Sequence, residues 1–227
     1  MFMENLSLSK SSSKQQTFIA LEGTDGSGKS SLRQHLYKNL FEDITPLTVG
    51  KHCWLNPKYA QIIINLRQGW GQYAPEVVLE AFLQDKIAQT QLLLRPHLVD
   101  RPIIADRSLL SDIVYLNVLY GIPLDESIDR YFSADLELPQ LIVFIQSPPA
   151  LSNKRVTGRI KSRTKSAWKS KPDRWENEET IAQLSDVFAS AIQALEGKIK
   201  FLKVTNSGKD LNKFLSATTK TILEKLN

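Results

Sequence analysis

The sequence predicts a doubly wound α/β fold, a parallel sheet flanked by helices on both faces. Three observations predict it. Apolar runs such as LIVFIQ at residues 141–146 are almost unbroken, as strands buried on both faces are. These runs alternate along the chain with stretches of helical period. A glycine-rich turn, GTDGSGKS at residues 23–30, joins the first run to the first helix. The chain has 227 residues, 42% of them hydrophobic, enough to bury one sizeable core.

Residues 17–22 (TFIALE) form the first strand, stopped by Gly23. Ser27 to about Phe41 reads as a helix, with Leu32, Leu36 and Leu40 on one face. A second strand is placed at 46–49. Pro75 opens a helix that runs to about Pro96, with Val77, Val78, Ala81, Phe82, Ile87, Leu92 and Leu93 as its apolar face. Residues 102–105 are a buried strand ending at Asp106, and 109–120 a helix closed by Gly121 and Pro123. After strand 141–146 a helix starts near Pro149. Another runs from about Glu176 to Glu196 and ends at Gly197. A last strand, 199–204, and a last helix, 209–226, follow. One domain over 17–227 is expected, with a basic insertion at about 155–175 and a disordered Ser/Lys-rich tail at 1–16.

The net charge of +5 is unevenly spread. Residues 151–174 hold nine basic residues against Asp173 alone, a net of +8, so the remainder is −3. No aromatic-basic interleaving accompanies the segment, which speaks against nucleic acid and for a polyphosphate. No stretch reaches the roughly 18–20 apolar residues that span a bilayer. The start has no signal-peptide core, and a transit peptide would be Arg-rich, which it is not. The lone Cys53 excludes an internal disulfide and suits a reducing cytosol, so a cytoplasmic protein without membrane contact is expected. His35, His52 and His97 have no metal spacing.

Gly23-x4-Gly28-Lys29-Ser30 fits the Walker A pattern. Residues Gly23, Thr24, Asp25, Gly26, Ser27, Gly28, Lys29, Ser30 and Ser31 would cradle the phosphates of ATP with converging backbone N–H groups. Lys29 would reach the β- and γ-phosphates and Ser30 would ligate Mg²⁺. Asp106 would hold the metal or its water shell across from Ser30; the alternative is that it caps the next helix. Arg107 would point into the same cleft; otherwise it is a surface residue paired with a carboxylate. Arg155 and Arg159, four apart, share a helix face and would close over the transferring group as part of a lid, unless the segment is a solvated loop. Asp25, inside the P-loop, needs compensation beside a triphosphate. An acceptor sugar hydroxyl, a lid arginine or a purely structural turn would each explain it.

These residues resemble the thymidylate kinase family of nucleoside monophosphate kinases. FIALEGTDGSGKSSL is similar to its P-loop, IIADRSLLSDIVY to its Asp-Arg motif and the helix behind, LIVFIQSPPALSNKRVTGR to its strand, proline turn and Arg-x3-Arg, and PDRWENEE to the far end of its lid. The similarity spans most of residues 17–226. It implies Mg·ATP-dependent transfer to a nucleoside monophosphate, dTMP first. Lys29, Ser30, Asp106, Arg107, Arg155 and Arg159 would carry the reaction, Asp25 would stand near the acceptor sugar, and the protein would be a homodimer. Having no Arg in its P-loop, the chain resembles the subtype with catalytic arginines in the lid.

Three stretches depart from the pattern, all expected to face the acceptor. KHCWLNPK stands where the family has Arg-x-Pro-Gly-Gly, Asp85-Lys86 where it has Asp-Arg, and Tyr115-Leu116-Asn117 where it has Tyr-Gln. DRSLLSD also resembles the ERS-x-x-SD stretch of deoxynucleoside kinases, which need a general base after strand two. Between Asp43 and Glu76 there is no carboxylate, only Lys51, Lys58 and Arg67 among charged residues. That favours a phosphate acceptor, although Asp25 would be a substitute base. A relative that binds nucleotide without transfer is the other alternative. A GTPase is not, because TNSGKD at 205–210 does not match Asn-Lys-x-Asp.

Overall fold

A computed structural model describes residues 16–41, 44–163 and 178–226. Among these, five parallel strands form one sheet in the order β2-β3-β1-β4-β5: β1 Phe18–Glu22, β2 Leu47–Val49, β3 Ile103–Asp106, β4 Leu141–Gln146 and β5 Phe201–Thr205. The expected doubly wound α/β architecture is the observed one. The expected tail over 1–16 lies, apart from Gln16, outside the described residues, and so does most of the proposed lid.

Alternation along each strand explains why the runs are apolar throughout. Ile19, Leu21, Ile104, Val143 and Ile145 face Leu32 and Leu36 of α1 (Lys29–Asn39), Leu40 just past its end, and Ile222 of α9 (Leu211–Leu226). Phe18, Ala20, Ile103, Ala105, Ile142 and Phe144 face the other layer. That layer is built from α3 (Pro75–Gln89), α5 (Leu109–Tyr120) and α8 (Glu178–Leu195). Both faces exclude water, so neither tolerates a polar residue in register.

Two helices were not foreseen, α2 (Pro57–Gln68) and α6 (Leu124–Ser133). Each carried a signal. Pro57 opens α2 and left-handed Gly69 closes it, while α6 repeats Ile128 and Tyr131 on its buried side. The long helix expected from Pro75 to Pro96 is interrupted. A π-helical turn at Thr90–Leu94 separates α3 from the short α4 (Arg95–Leu98). Pro96 offers no N–H to the Leu92 carbonyl, so the regular ladder cannot continue there. Val77 and Leu92, read as core, are exposed. The remaining helix, α7 (Pro149–Arg163), follows β4 across the P-loop.

Phe188 of α8 is fully buried against Phe144 of β4, ring centroids 5.2 Å apart. Phe188→Ala should cost about 3–5 kcal/mol through the cavity it leaves, read by urea denaturation.

Candidate active site

Parallel pairing sets the ends of β1 and β3 side by side, Leu21 level with Asp106. Crevices outside such carboxyl ends are where open α/β sheets bind ligands. Here the crevice is a cleft of about 510 Å³ lined by the P-loop, the end of β3, α7 and the turn at 206–211. The P-loop passes beneath α7 at Gly26 (φ 82°), where a Cβ would overlap the Ser152 carbonyl oxygen. Only glycine combines that backbone with that clearance. Lys29, the first residue of α1, is buried, and its ammonium donates to the carbonyls of Gly23 (3.0 Å) and Thr24 (2.9 Å). Burial lowers its pKa to about 8; Arg107 works in the same direction, and Asp25, Asp106 and Glu22 oppose it.

Ser30 and Asp106 line this one cleft. A hydroxyl and a carboxylate are the hard oxygen donors that Mg²⁺ takes, one or two at a time, alongside phosphate oxygens. Among the described residues no three His, Cys, Asp or Glu side chains gather to hold a metal by themselves. The donor set therefore fits Mg²⁺ carried with a polyphosphate. Arg33, unassigned from sequence, approaches Asp106 at 3.9 Å.

Asp106 does not cap α5. Glu22, the last residue of β1, does so from across the sheet. Its buried carboxylate accepts from Ser108 N (2.6 Å), Ser108 Oγ (2.9 Å), Ser111 N (3.3 Å) and Ser111 Oγ. Burial raises the Glu22 pKa, against the charge of Arg107 and these serine bonds. Between Asp106 and the cap, Arg107 takes the left-handed conformation (φ 78°) that aims its side chain back at the P-loop. It is buried rather than on the surface. NH1 donates to Gly23 O (2.8 Å) and Ser111 Oγ (2.9 Å), and NH2 pairs with Asp25 Oδ1 at 2.7 Å. Asp25 also accepts from the Tyr115 hydroxyl at 3.4 Å. Among the described residues the charge in the P-loop is met by Arg107.

Arg155 lines the cleft, donating to Gly26 O (3.0 Å) and Asn206 Oδ1 (3.4 Å). The side chain of Arg159 and the segment 164–177 lie outside the described residues. Asn206, just past β5, was missed from sequence. Its Nδ2 donates to Ser27 O (2.8 Å), and its Oδ1 accepts from Gly208 N (3.1 Å), which ties the strand-five turn to the P-loop. Thr-Asn-Ser-Gly directly after an apolar run was the available signal.

The three departing stretches meet next to Arg107, which itself lines the cleft. Lys51, in the loop after β2, lies over the Tyr115 ring (4.3 Å to its centre), and the Arg107 guanidinium lies 5.3 Å from the same ring. Burial brings the Lys51 pKa down to about 8; Asp112 opposes, while Arg107 and Lys86 add to the fall. The fully buried Asp112 pairs with Lys51 and with Lys86, each at 3.4 Å. Lys58 and Arg67 are exposed on α2 and do not join this group. Asn117, expected to face the acceptor, instead donates to Ile122 O (3.0 Å) in the turn behind α5, and Leu116 is in the core. His52, unassigned from sequence, is part of the cluster through Asp85.

The family model for thymidylate kinase matches residues 21–214. A thymidylate kinase of Xanthomonas euvesicatoria pv. vesicatoria is 26% identical over 174 residues, covering 76% of this chain and 70% of that protein. One from Xylella fastidiosa is 25% identical over 170 residues, covering 75% of this chain and 76% of that protein. Among solved structures, a thymidylate kinase from Ehrlichia chaffeensis superposes with a TM-score of 0.64 at 17% identity, over 92% of this chain and 98% of that one, a likeness of fold.

Glu22→Ala would leave buried donors of Ser108 and Ser111 without an acceptor. It should destabilise the chain by about 1–3 kcal/mol, measured by chemical denaturation.

Proposed function

Because this chain belongs to the thymidylate kinase family, we propose that its cleft holds ATP at the P-loop end and dTMP at the Lys51 end, with Arg107 between them. The chain is an ATP-dependent nucleoside monophosphate kinase that phosphorylates dTMP, and the alternative of a deoxynucleoside kinase is not favoured. The observation that carries the residue assignment is the pair of cations, the half-buried Lys51 and the buried Arg107, set against one tyrosine ring. A phosphate oxygen is already a nucleophile. Its recognition needs concentrated positive charge, and that is what this end of the cleft supplies.

The backbone amides of 26–30 and the α1 N-terminus would receive the triphosphate. The Lys29 ammonium, at the floor of the cleft, would turn from the Gly23 and Thr24 carbonyls to the β- and γ-phosphate oxygens. Ser30 and Asp106 would hold Mg²⁺, which supplies charge neutralisation of the phosphates. Arg107 and Lys51 would orient the acceptor phosphate in line with the γ-phosphorus. Arg155, with Arg159 from the same helix, would meet the charge that spreads over the equatorial oxygens. Closure of residues 155–175 would exclude water, which otherwise hydrolyses ATP.

Asp25 is a poor general base here. Its Oδ1 is already engaged by the Arg107 guanidinium at 2.7 Å. Its place at the acceptor end suits a sugar hydroxyl better. We also place the protein in the cytoplasm as a homodimer, through the helices that flank the Asp-Arg turn, where Val77 of α3 stays exposed. No helix among the described residues is long and apolar enough to cross a membrane. Light scattering that gives twice the 25.7 kDa chain mass supports the dimer, and the single-chain mass rejects it.

Two kinetic outcomes test the assignment. Lys29→Ala should lower kcat about 10²-fold or more in a coupled assay with Mg·ATP and dTMP, while the exposed Lys58→Ala stays within about two-fold; equal small losses would refute the donor site. At saturating Mg·ATP, kcat/KM for dTMP should fall as pH rises through about 8, where Lys51 loses its proton. Lys51→Arg should remove that limb, because a guanidinium stays charged. A limb that Lys51→Arg leaves in place would assign it to another group.

A further inference from the structure

The loop at 50–55, between β2 and α2, has no regular structure, yet nearly every residue of it is tied to α3. Gln89 Nε2 donates to Gly50 O at 2.9 Å, and the Lys86 ammonium donates to Lys51 O. Asp85 takes the next three. It accepts from the His52 ring Nδ1 (3.1 Å), from Cys53 N (3.3 Å) and, through Oδ1, from Trp54 N (3.1 Å). Burial lowers the His52 pKa to about 4, so the ring is neutral at pH 7 and must carry its proton on Nδ1 to make this bond. The hydrogen-bond donors around Asp85, led by His52, outweigh its burial and hold its own pKa below the ordinary carboxylate value.

One residue in the loop is strained. Trp54 has φ 60°, a backbone that β-carbon-bearing residues adopt at a cost. If Lys51 is set on the Arg of the Arg-x-Pro-Gly-Gly pattern, Trp54 falls on its first glycine, where that backbone is free. This chain therefore has a left-handed backbone at that position without a glycine. What compensates is visible. The Trp54 N–H goes to Asp85, and the Trp54 ring lies 4.9 Å from the His52 ring. The loop so fixed sends the Lys51 side chain, 18% exposed, across Tyr115 towards Arg107, with Asp112 at 3.4 Å.

We propose that Asp85 is a positioning residue: by clasping residues 52–54 it holds Trp54 in the left-handed conformation and so sets the Lys51 ammonium at the acceptor end of the cleft. This rests on the reading of Lys51 as a ligand of the acceptor phosphate. Asp85 itself, 2% exposed and turned to the loop, touches no reacting atom. The corresponding acidic residue of the family's Asp-Arg pair would here act through the loop it grips, and Lys86 with Gln89 completes the grip.

The test needs one readout without substrate and one with it. Competitive acetylation of the intact protein across pH, read by mass spectrometry, should give wild-type Lys51 a pKa near 8. In Asp85→Asn it should rise by about one unit or more as the ammonium returns to water, with Lys29 unmoved. In the coupled assay Asp85→Asn should raise KM for dTMP about ten-fold, with kcat and KM for ATP within about two-fold. Adding Trp54→Gly should return the dTMP KM to within about three-fold of wild type, because glycine holds the conformation unaided. Unchanged Lys51 labelling in Asp85→Asn overturns the proposal, whatever the kinetics. If that labelling is unchanged while Lys51→Ala still raises the dTMP KM, the acceptor site stands and only the clasp falls. If Lys51→Ala leaves the dTMP KM alone, the acceptor reading falls, and the labelling by itself decides the clasp. Should Asp85→Asn not fold, Asp85→Glu displaces the carboxylate by one methylene. It must shift Lys51 labelling in the same direction, and no shift overturns the proposal.

Discussion

Three cations, Lys29, Lys51 and Arg107, are taken out of water at the carboxyl end of β1 and β3, and the rest of the site is arranged around holding them there. Removing a charge from water costs several kcal/mol even after relaxation. Each cation is accordingly met by a carboxylate or by carbonyls: Arg107 by Asp25, Lys51 by Asp112, and Lys29 by the oxygens of Gly23 and Thr24. The lowered pKa values of Lys29 and Lys51 show that this compensation is incomplete. An incompletely compensated cation in a cleft is a standing preference for an anion. Two phosphate-bearing ligands, one at each end, would complete it.

The fold makes this arrangement possible by separating two tasks along one strand. Residues 18–21 of β1 are wholly apolar and fix the strand between β3 and β4. Glu22, one position further, leaves the apolar pattern and binds the start of α5, so the P-loop and the Asp-Arg turn are tied through one carboxylate. With the cap supplied by Glu22, Asp106 is free to face the cleft beside Ser30. Arg107 can then adopt a backbone that would otherwise be disfavoured, because its three hydrogen bonds hold it there.

What was legible in the sequence was what depends on short spacing. The glycines of 23–28 and Lys29 are specified by the chain within one turn, and an apolar run followed by Asp-Arg places a carboxylate at a strand end. Glu22 was invisible as a cap because its partners are 86 and 89 positions away. Asn206 is likewise recruited over 179 positions, and His52 reaches its partner Asp85 on another element. The departures at Lys51, Lys86 and Tyr115 were read as three stretches that each face the acceptor. In space they are one cluster around Asp112, and a substitution that looks like a loss at one position is balanced at the next. Asn117 shows the opposite failure, a polar residue next to the right position that one helical step turns away from the cleft.

The Lys51 cluster, which we assign to the acceptor, therefore differs in kind from a site that has decayed. Loss of function by drift would leave buried charges without partners or replace them by apolar residues, since an unpaired buried charge is costly. Here the stretch that lacks the expected arginine carries a half-buried cation, paired with the fully buried Asp112. The strained backbone at Trp54 is held by a dedicated bond rather than relieved by a glycine. Strain of this kind persists where the surroundings over-determine it, most often at sites that bind or react. On the assignment proposed above, the cation at this position is an ammonium where the family pattern has a guanidinium. A compact ammonium has no fixed fork to match a phosphate bidentately, so its placement must come from the loop that bears it. That requirement explains why the loop is gripped at consecutive residues, and why the grip comes from α3, which packs against α5 and its Asp112.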